Sequence, residues 1–192
     1  MIKKFGFERG LAIDIDGKKA KIARSNGVPA IHMDARNLSF FGDNAFRAVT
    51  MSYFLEHLPS RELIADILRD SVRIGTETIY IRGQMFNDEV LKKHGVRFYW
   101  ANWRGHQTHI EGEEIAEMLT QLGAHDIKLT YLGLVESTDD PCIHPIGAAG
   151  NRHAYDPEID PVKPAGVELE DIYQEYEVVA SLSPGNGIHS GV

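Results

Sequence analysis

Along the first half of the chain, apolar residues gather in short, nearly uninterrupted blocks: Leu11 to Ile15, Val28 to Met33 and Ala45 to Ser52, each opening onto acidic or polar residues. Blocks of this length, bounded by turn residues, predict strands buried on both faces, as in a parallel sheet. Between them the pattern changes to helical spacing. Lys18 to Ser25 reads as one helix. Pro59 to Ile74 reads as another, with Ser60 as N-cap and a stripe of Leu63, Ile64, Ile67, Leu68 and Val72. Gly75 stops it, and the β-branched and aromatic run Thr76 to Ile81 predicts a fourth strand. Strands alternating with helices at this spacing imply right-handed crossovers.

Farther on, Thr108-His109-Ile110-Glu111 has the form of a capping box, with Thr108 as the cap. Ile115, Met118, Leu119 and Leu122 continue it at helical spacing, and Gly123 provides a stop. Ile127 to Val135 and Tyr173 to Leu182 alternate as strands do. Residues 136–167 hold most of the chain's eight prolines. A connection that long is functional or disordered, and we expect an ordered cover over a substrate site. The expected organisation is one domain over residues 1–182 and a flexible Gly/Ser tail over 183–192.

Composition adds limits. A chain of 192 residues, 43% hydrophobic and 25% charged, suits one soluble domain. A net charge of −8 with no basic cluster argues against nucleic acid as partner and for a small-molecule substrate. Cys142 is the only cysteine, which excludes an internal disulfide and a cysteine metal cage. No apolar run is long enough for a membrane span or a leader, so no membrane partner and a cytoplasmic location are expected.

Two of the apolar blocks end at acids, Asp14 and Asp34. In open α/β sheets, ligands lie beyond the carboxyl ends of the strands, where such an acid can accept a bond from a ribose hydroxyl. In order along the chain come Ala12 to Asp16, Ala23-Arg24-Ser25-Asn26-Gly27, Asp34-Ala35, Asn37-Leu38-Ser39-Phe40, Asn44-Ala45-Phe46-Arg47 and Phe54-Leu55-Glu56-His57-Leu58. This succession, over roughly residues 5 to 135, resembles the class I S-adenosylmethionine-dependent methyltransferases, in particular the type 11-like small-molecule group. The resemblance implies a Rossmann-like, mostly parallel sheet with helices on both faces and an antiparallel edge pair.

The chain departs from that family in two places. The family's first strand and its acid-Gly-x-Gly-x-Gly loop have no counterpart before Asp14, where Met1 to Phe7 looks like the tail of the following helix. The absent strand is central in the family sheet and would leave two edges about 10 Å apart, twice the usual spacing. Such edges invite closure on each other, a partner chain or homo-oligomer that completes the sheet, or a loose first unit. We therefore expect an N-terminally truncated or split frame. The second departure is Arg47, which stands where the family has an acid.

The resemblance also assigns roles. S-adenosylmethionine would be the cofactor, with Asp14 on the ribose, Ile15 against adenine, Asp34 on the adenine amino group, Ala35 offering its N–H, and Met51 beside the sulfonium. Glu56, His57 and His106 are the candidate catalytic residues, His57 as base, with Tyr53, Trp103 and His109 as a substrate wall. Simpler readings stand beside these: an acid after a strand also caps a helix, and tryptophans anchor loops. In some relatives a similar Glu-His pair helps to bind a divalent metal, but those carry another acid where this chain has Tyr53. The spacing of His106 and His109 lacks a third ligand, so no metal is assigned. The expected function is methyl transfer to a small polar acceptor such as a sugar. The alternatives are a non-catalytic methyltransferase-like module, a fragment that needs a partner or upstream segment, and, more remotely, a dinucleotide-dependent oxidoreductase.

Overall fold

The computed structural model describes residues 9–182, so the expectations for the first residues and for the tail from 183 lie outside the described part. The chain divides into two compact units at Asp43/Asn44, each described by itself below.

The first unit is a small α/β element. Strand β1 (Ala12–Asp14) leads into helix α1 (Gly17–Ser25), and β2 (Ala30–His32) returns parallel to β1 in the register Asp14 opposite His32. Asp16 starts α1 by accepting the Lys18 N–H at 2.8 Å. Gly27, at φ +78°, supplies the left-handed turn after the helix that a residue with a Cβ adopts at a cost. Both strands are shorter than the apolar blocks suggested, because the flanking residues turn away into loops. A short 3₁₀ segment (Ala35–Phe40) follows.

The second unit is a four-stranded sheet in the order β3-β4-β8-β6, comprising β3 (Phe46–Ser52), β4 (Gly75–Gln84), β8 (Tyr173–Ser181) and β6 (His125–Leu134). Strands β3 and β4 are parallel, and β8 runs antiparallel between β4 and β6. Helices α2 (Arg61–Ile74) and α4 (Gly112–Gln121) pack on one face and touch each other. The core is there: Ile64, Ile67 and Leu68 of α2 and Ile115 and Leu119 of α4 meet Ile79, Ile81, Tyr176, Val178 and Ala180 of the sheet, all buried. The other face carries a polar ladder in which the Arg82 guanidinium contacts the Glu175 and Glu177 carboxylates, and Tyr53 and Tyr80 donate their hydroxyls to Glu175 and Glu177. At the sheet's edge Arg47 forms a two-pronged pair with Glu77 of β4, at 2.7 and 2.9 Å, so an exposed cross-strand ion pair stands where the family has an acid.

Ser60 caps α2 as the sequence predicts, accepting the Leu63 N–H at 3.3 Å. The second cap is different from the expectation. Glu111, not Thr108, is the N-cap of α4, and its partner in the capping box is Glu114. Thr108 instead donates its hydroxyl to the Leu58 carbonyl. The sequence also gave no warning of helix α3 (Asp88–Lys93) or of the antiparallel pair β5 (Val96–Phe98) and β7 (Ile143–Pro145). The long connection over 136–167 is ordered through β7 and through Lys163, whose ammonium donates to the Asp140 carbonyl.

Candidate functional site

In the first unit, Asp14 is the last residue of β1, and Asp34 follows the end of the parallel neighbour β2. Asp14 uses one carboxylate oxygen to accept the Asp16 N–H at 2.7 Å, which turns the chain into α1. Ile15 between them is 67% exposed, an apolar side chain presented rather than packed. Asp34 caps the 3₁₀ segment through the Arg36 N–H at 2.9 Å and also binds the Arg36 guanidinium. That hydrogen-bonded guanidinium holds the Asp34 carboxyl below the usual range for a carboxylate. Ala35 is the next residue, the first of the segment that Asp34 caps.

In the second unit, the two parallel strands leave the sheet through left-handed residues: Tyr53 at φ +48° after β3 and Asn87 at φ +45° after β4. A bulky side chain in that region stores strain, which persists where the surroundings fix it. Here the Tyr53 N–H donates to the Arg82 carbonyl at 2.8 Å and its hydroxyl donates to Glu175. The turn sends the chain from Met51, buried in β3, into a single 3₁₀ turn, Leu55–His57.

That turn is laced to a second segment after Trp103. The Glu56 carbonyl accepts the Gln107 and Thr108 N–H groups at 2.8 and 3.2 Å, and the Gln107 side chain donates to the His57 carbonyl at 2.9 Å. His57 Nδ1 faces the Gly105 carbonyl at 2.8 Å, and His106 Nδ1 faces the Trp100 carbonyl at 2.9 Å. A carbonyl only accepts, so Nδ1 carries a proton in both rings, and in the neutral ring Nε2 is the nitrogen with the lone pair. The two imidazole rings are 5.0 Å apart between centroids. One carboxylate oxygen of Glu56 and one ring nitrogen each from His57 and His106 lie within 4.8 Å of one another.

Glu56 is only 2% exposed, and its Oε1 has no hydrogen-bond partner. Burial pushes its carboxyl above the ordinary value and pushes the His106 imidazole below its own. Trp103 lies 5.4 Å from His106 between ring centroids, and its indole N–H is buried without an acceptor. His109 is set apart. Its nitrogens face Asp88 Oδ2 and the Ala101 carbonyl, both at 2.8 Å, and its ring stacks on Phe86 at 4.0 Å. A groove of about 890 Å³, bounded in part by Ser60, Arg61, Asn87, Asp88 and Glu114, runs along that side of His109.

The structure thus brings together Glu56, His57 and His106, with Trp103 beside them, and ties His109 and Tyr53 to other partners. Sequence reasoning missed the carbonyls of Gly105 and Trp100 and the carboxylate of Asp88. Backbone acceptors carry no residue signature, and Asp88 meets His109 only through the fold.

No protein-family model and no curated relative matches the chain. Among solved structures, it is similar to a SAM-dependent methyltransferase from Archaeoglobus fulgidus, with a TM-score of 0.60 and 17% identity over 94% of this chain and 78% of that one. The complex between the Haloferax volcanii Trm112 methyltransferase activator and a methyltransferase matches at TM-score 0.59 and 14% identity, over 94% and 75%. The magnesium protoporphyrin IX methyltransferase of Synechocystis, solved with SAH, matches at 0.50 and 14%, over 93% and 66%. The likeness is one of fold: the chain has the α/β architecture of the SAM-dependent methyltransferases. Among the described residues no helix is long and apolar enough to cross a membrane.

Proposed function

We propose that this protein takes part in S-adenosylmethionine-dependent methyl transfer to a small polar acceptor. The observation that carries the reading is the pair of parallel strands, one ending at Asp14 and the other followed two residues on by Asp34, with the exposed Ile15 beside them, within a methyltransferase-like fold. The residues of the first unit fit a nucleoside: Asp14 keeps one carboxylate oxygen beyond its turn bond, and Ile15 offers an apolar face. Asp34 fits less directly, because Arg36 already holds its carboxylate, so the Ala35 N–H is the more available contact there. The cofactor, when bound, supplies a methyl group for in-line displacement from its sulfonium.

The second unit, taken by itself, carries groups suited to taking a proton from a hydroxyl. His57 and His106 each keep Nδ1 on a backbone carbonyl, so in the neutral ring Nε2 is the atom able to take a proton from a hydroxyl. Met51, Tyr53, Trp103 and His109 support this region rather than react: Met51 fills the end of β3, Tyr53 sets the turn, Trp103 packs on His106, and His109 anchors the loop to Asp88. No acid-Gly-x-Gly-x-Gly run occurs in the 192 residues.

Calorimetry with S-adenosylhomocysteine is the direct test. Binding is expected, and Asp14→Ala should weaken it by about 1 to 3 kcal/mol, the range for a lost charge-assisted bond. Tight binding indifferent to Asp14→Ala would overturn the ribose assignment.

A further inference from the structure

We propose that Glu56, His57 and His106 form a site for one first-row divalent transition-metal ion, of the zinc, cobalt or manganese class. The triad supplies two imidazoles and one carboxylate, the donor set of open catalytic sites that keep a position for water or substrate. Its ligand atoms already lie within 4.8 Å of one another. Ligand atoms around a zinc ion at about 2.0 to 2.2 Å stand roughly 3.3 Å apart, so small side-chain movements close the triad.

Two independent features point to an ion rather than to a chance cluster. The first is the second layer. Each ring presents Nδ1 to a backbone carbonyl, of Gly105 and of Trp100, which fixes the tautomer and leaves Nε2 for the metal. The second is Glu56, a carboxylate 98% shielded from solvent whose Oε1 has no partner. A buried acceptor left unpaired is costly, and among the described residues no lysine or arginine pairs with it, so a cation is the group that would satisfy it. His106 is brought to the Glu56-His57 pair by the hydrogen bonds between residues 55–58 and 105–108.

With both Nε2 atoms on the ion, neither ring would act as the base; the ion's open positions would take oxygen donors and acidify a bound hydroxyl instead, which favours acceptors bearing a hydroxyl or carboxylate. That second step rests on the methyl-transfer reading, whereas metal binding does not, and the two fail separately.

The test uses the full chain stripped with a chelator and titrated with Zn²⁺, Co²⁺, Mn²⁺ and Mg²⁺ alone, followed by calorimetry, the visible spectrum of Co²⁺ and thermal melting. One Zn²⁺ or Co²⁺ per chain, a four- or five-coordinate cobalt spectrum and a raised melting temperature are expected. His57→Ala and Glu56→Gln should each weaken Zn²⁺ binding by roughly 100-fold or more, above the range for a lost second-layer contact. His94→Ala, at an exposed histidine elsewhere, should not change it. Glu56→Gln is isosteric, so a cooperative melt without metal shows that it folds. Absence of stoichiometric binding, preference for Mg²⁺, or affinity unchanged in the two variants would each overturn the site. Binding that survives alongside failed S-adenosylhomocysteine binding would leave the metal site standing and the cofactor reading rejected.

Discussion

At the scale of single residues, the site's precision comes from groups whose identity conceals their task. Thr108 is the clearest case. Its sequence context reads as a helix cap, yet it is buried and donates to the Leu58 carbonyl at 2.7 Å, fastening the Glu56-His57 turn to the segment that carries His106. Thr108→Val keeps the shape and removes the bond, leaving a carbonyl without its donor. The expected loss is about 1 kcal/mol in chemical denaturation, with a larger fractional loss of any activity that needs the two histidines aligned. A variant as stable as the parent would show that Leu58 finds another partner. Asp14 and Asp34 were legible because an acid at a strand end is a local signal. The pairing of His57 with the Gly105 carbonyl was not, since nearly fifty residues separate the partners and a carbonyl is present at every position.

At the scale of elements, legibility followed length and periodicity. Helix α2 and strands β3, β4, β6 and β8 appear close to their expected bounds, because each repeats its pattern often enough to outweigh local exceptions. Strands β5 and β7 span three residues each, too few to show a period, and β7 lies inside the proline-rich connection. The displaced cap of α4 has a specific cause. Two candidate boxes overlap, and the fold selects Glu111 because its carboxylate also accepts the Phe86 and Asn87 N–H groups, joining the helix start to the end of β4. Two substitutions test this level. Ser60→Ala removes the α2 cap and should cost about 1 kcal/mol. Gly112→Ala should cost more, roughly 1 to 3 kcal/mol for overpacking. A Cβ there would lie 2.6 Å from Leu129 Cδ1 and 3.1 Å from Tyr176, where α4 meets the sheet. Equal melting of Gly112→Ala and the parent would mean that α4 can lift off the sheet freely.

At the scale of the whole molecule, the ionisable groups divide into two sets that pull stability in opposite directions with pH. Asp34 and Glu114 lie below their ordinary values through hydrogen bonds from Arg36 and Arg61. Burial raises Asp88, but bonds from His109 and Lys92 outweigh it and hold this carboxyl low as well. Lowered groups stabilise the fold above their unfolded values, 3.8 for the aspartates and 4.5 for Glu114, and that contribution disappears as pH falls through the folded values. Glu56 and Glu111 are raised, chiefly by burial. Their contribution is complete below 4.5 and is lost as pH rises through their folded values, where a buried carboxyl must ionise. The melting temperature of the metal-free protein should therefore pass through a maximum on the acidic side of neutrality, measurable by circular dichroism from about pH 4 to 8. Glu56→Gln removes one ionisation and should flatten the alkaline limb while leaving the acid limb unchanged. Zinc should flatten the same limb in the parent protein, by giving the ionised Glu56 a partner, and should have no such effect in the variant. A limb that neither the substitution nor the ion alters would mean that Glu56 is not the group whose ionisation sets it.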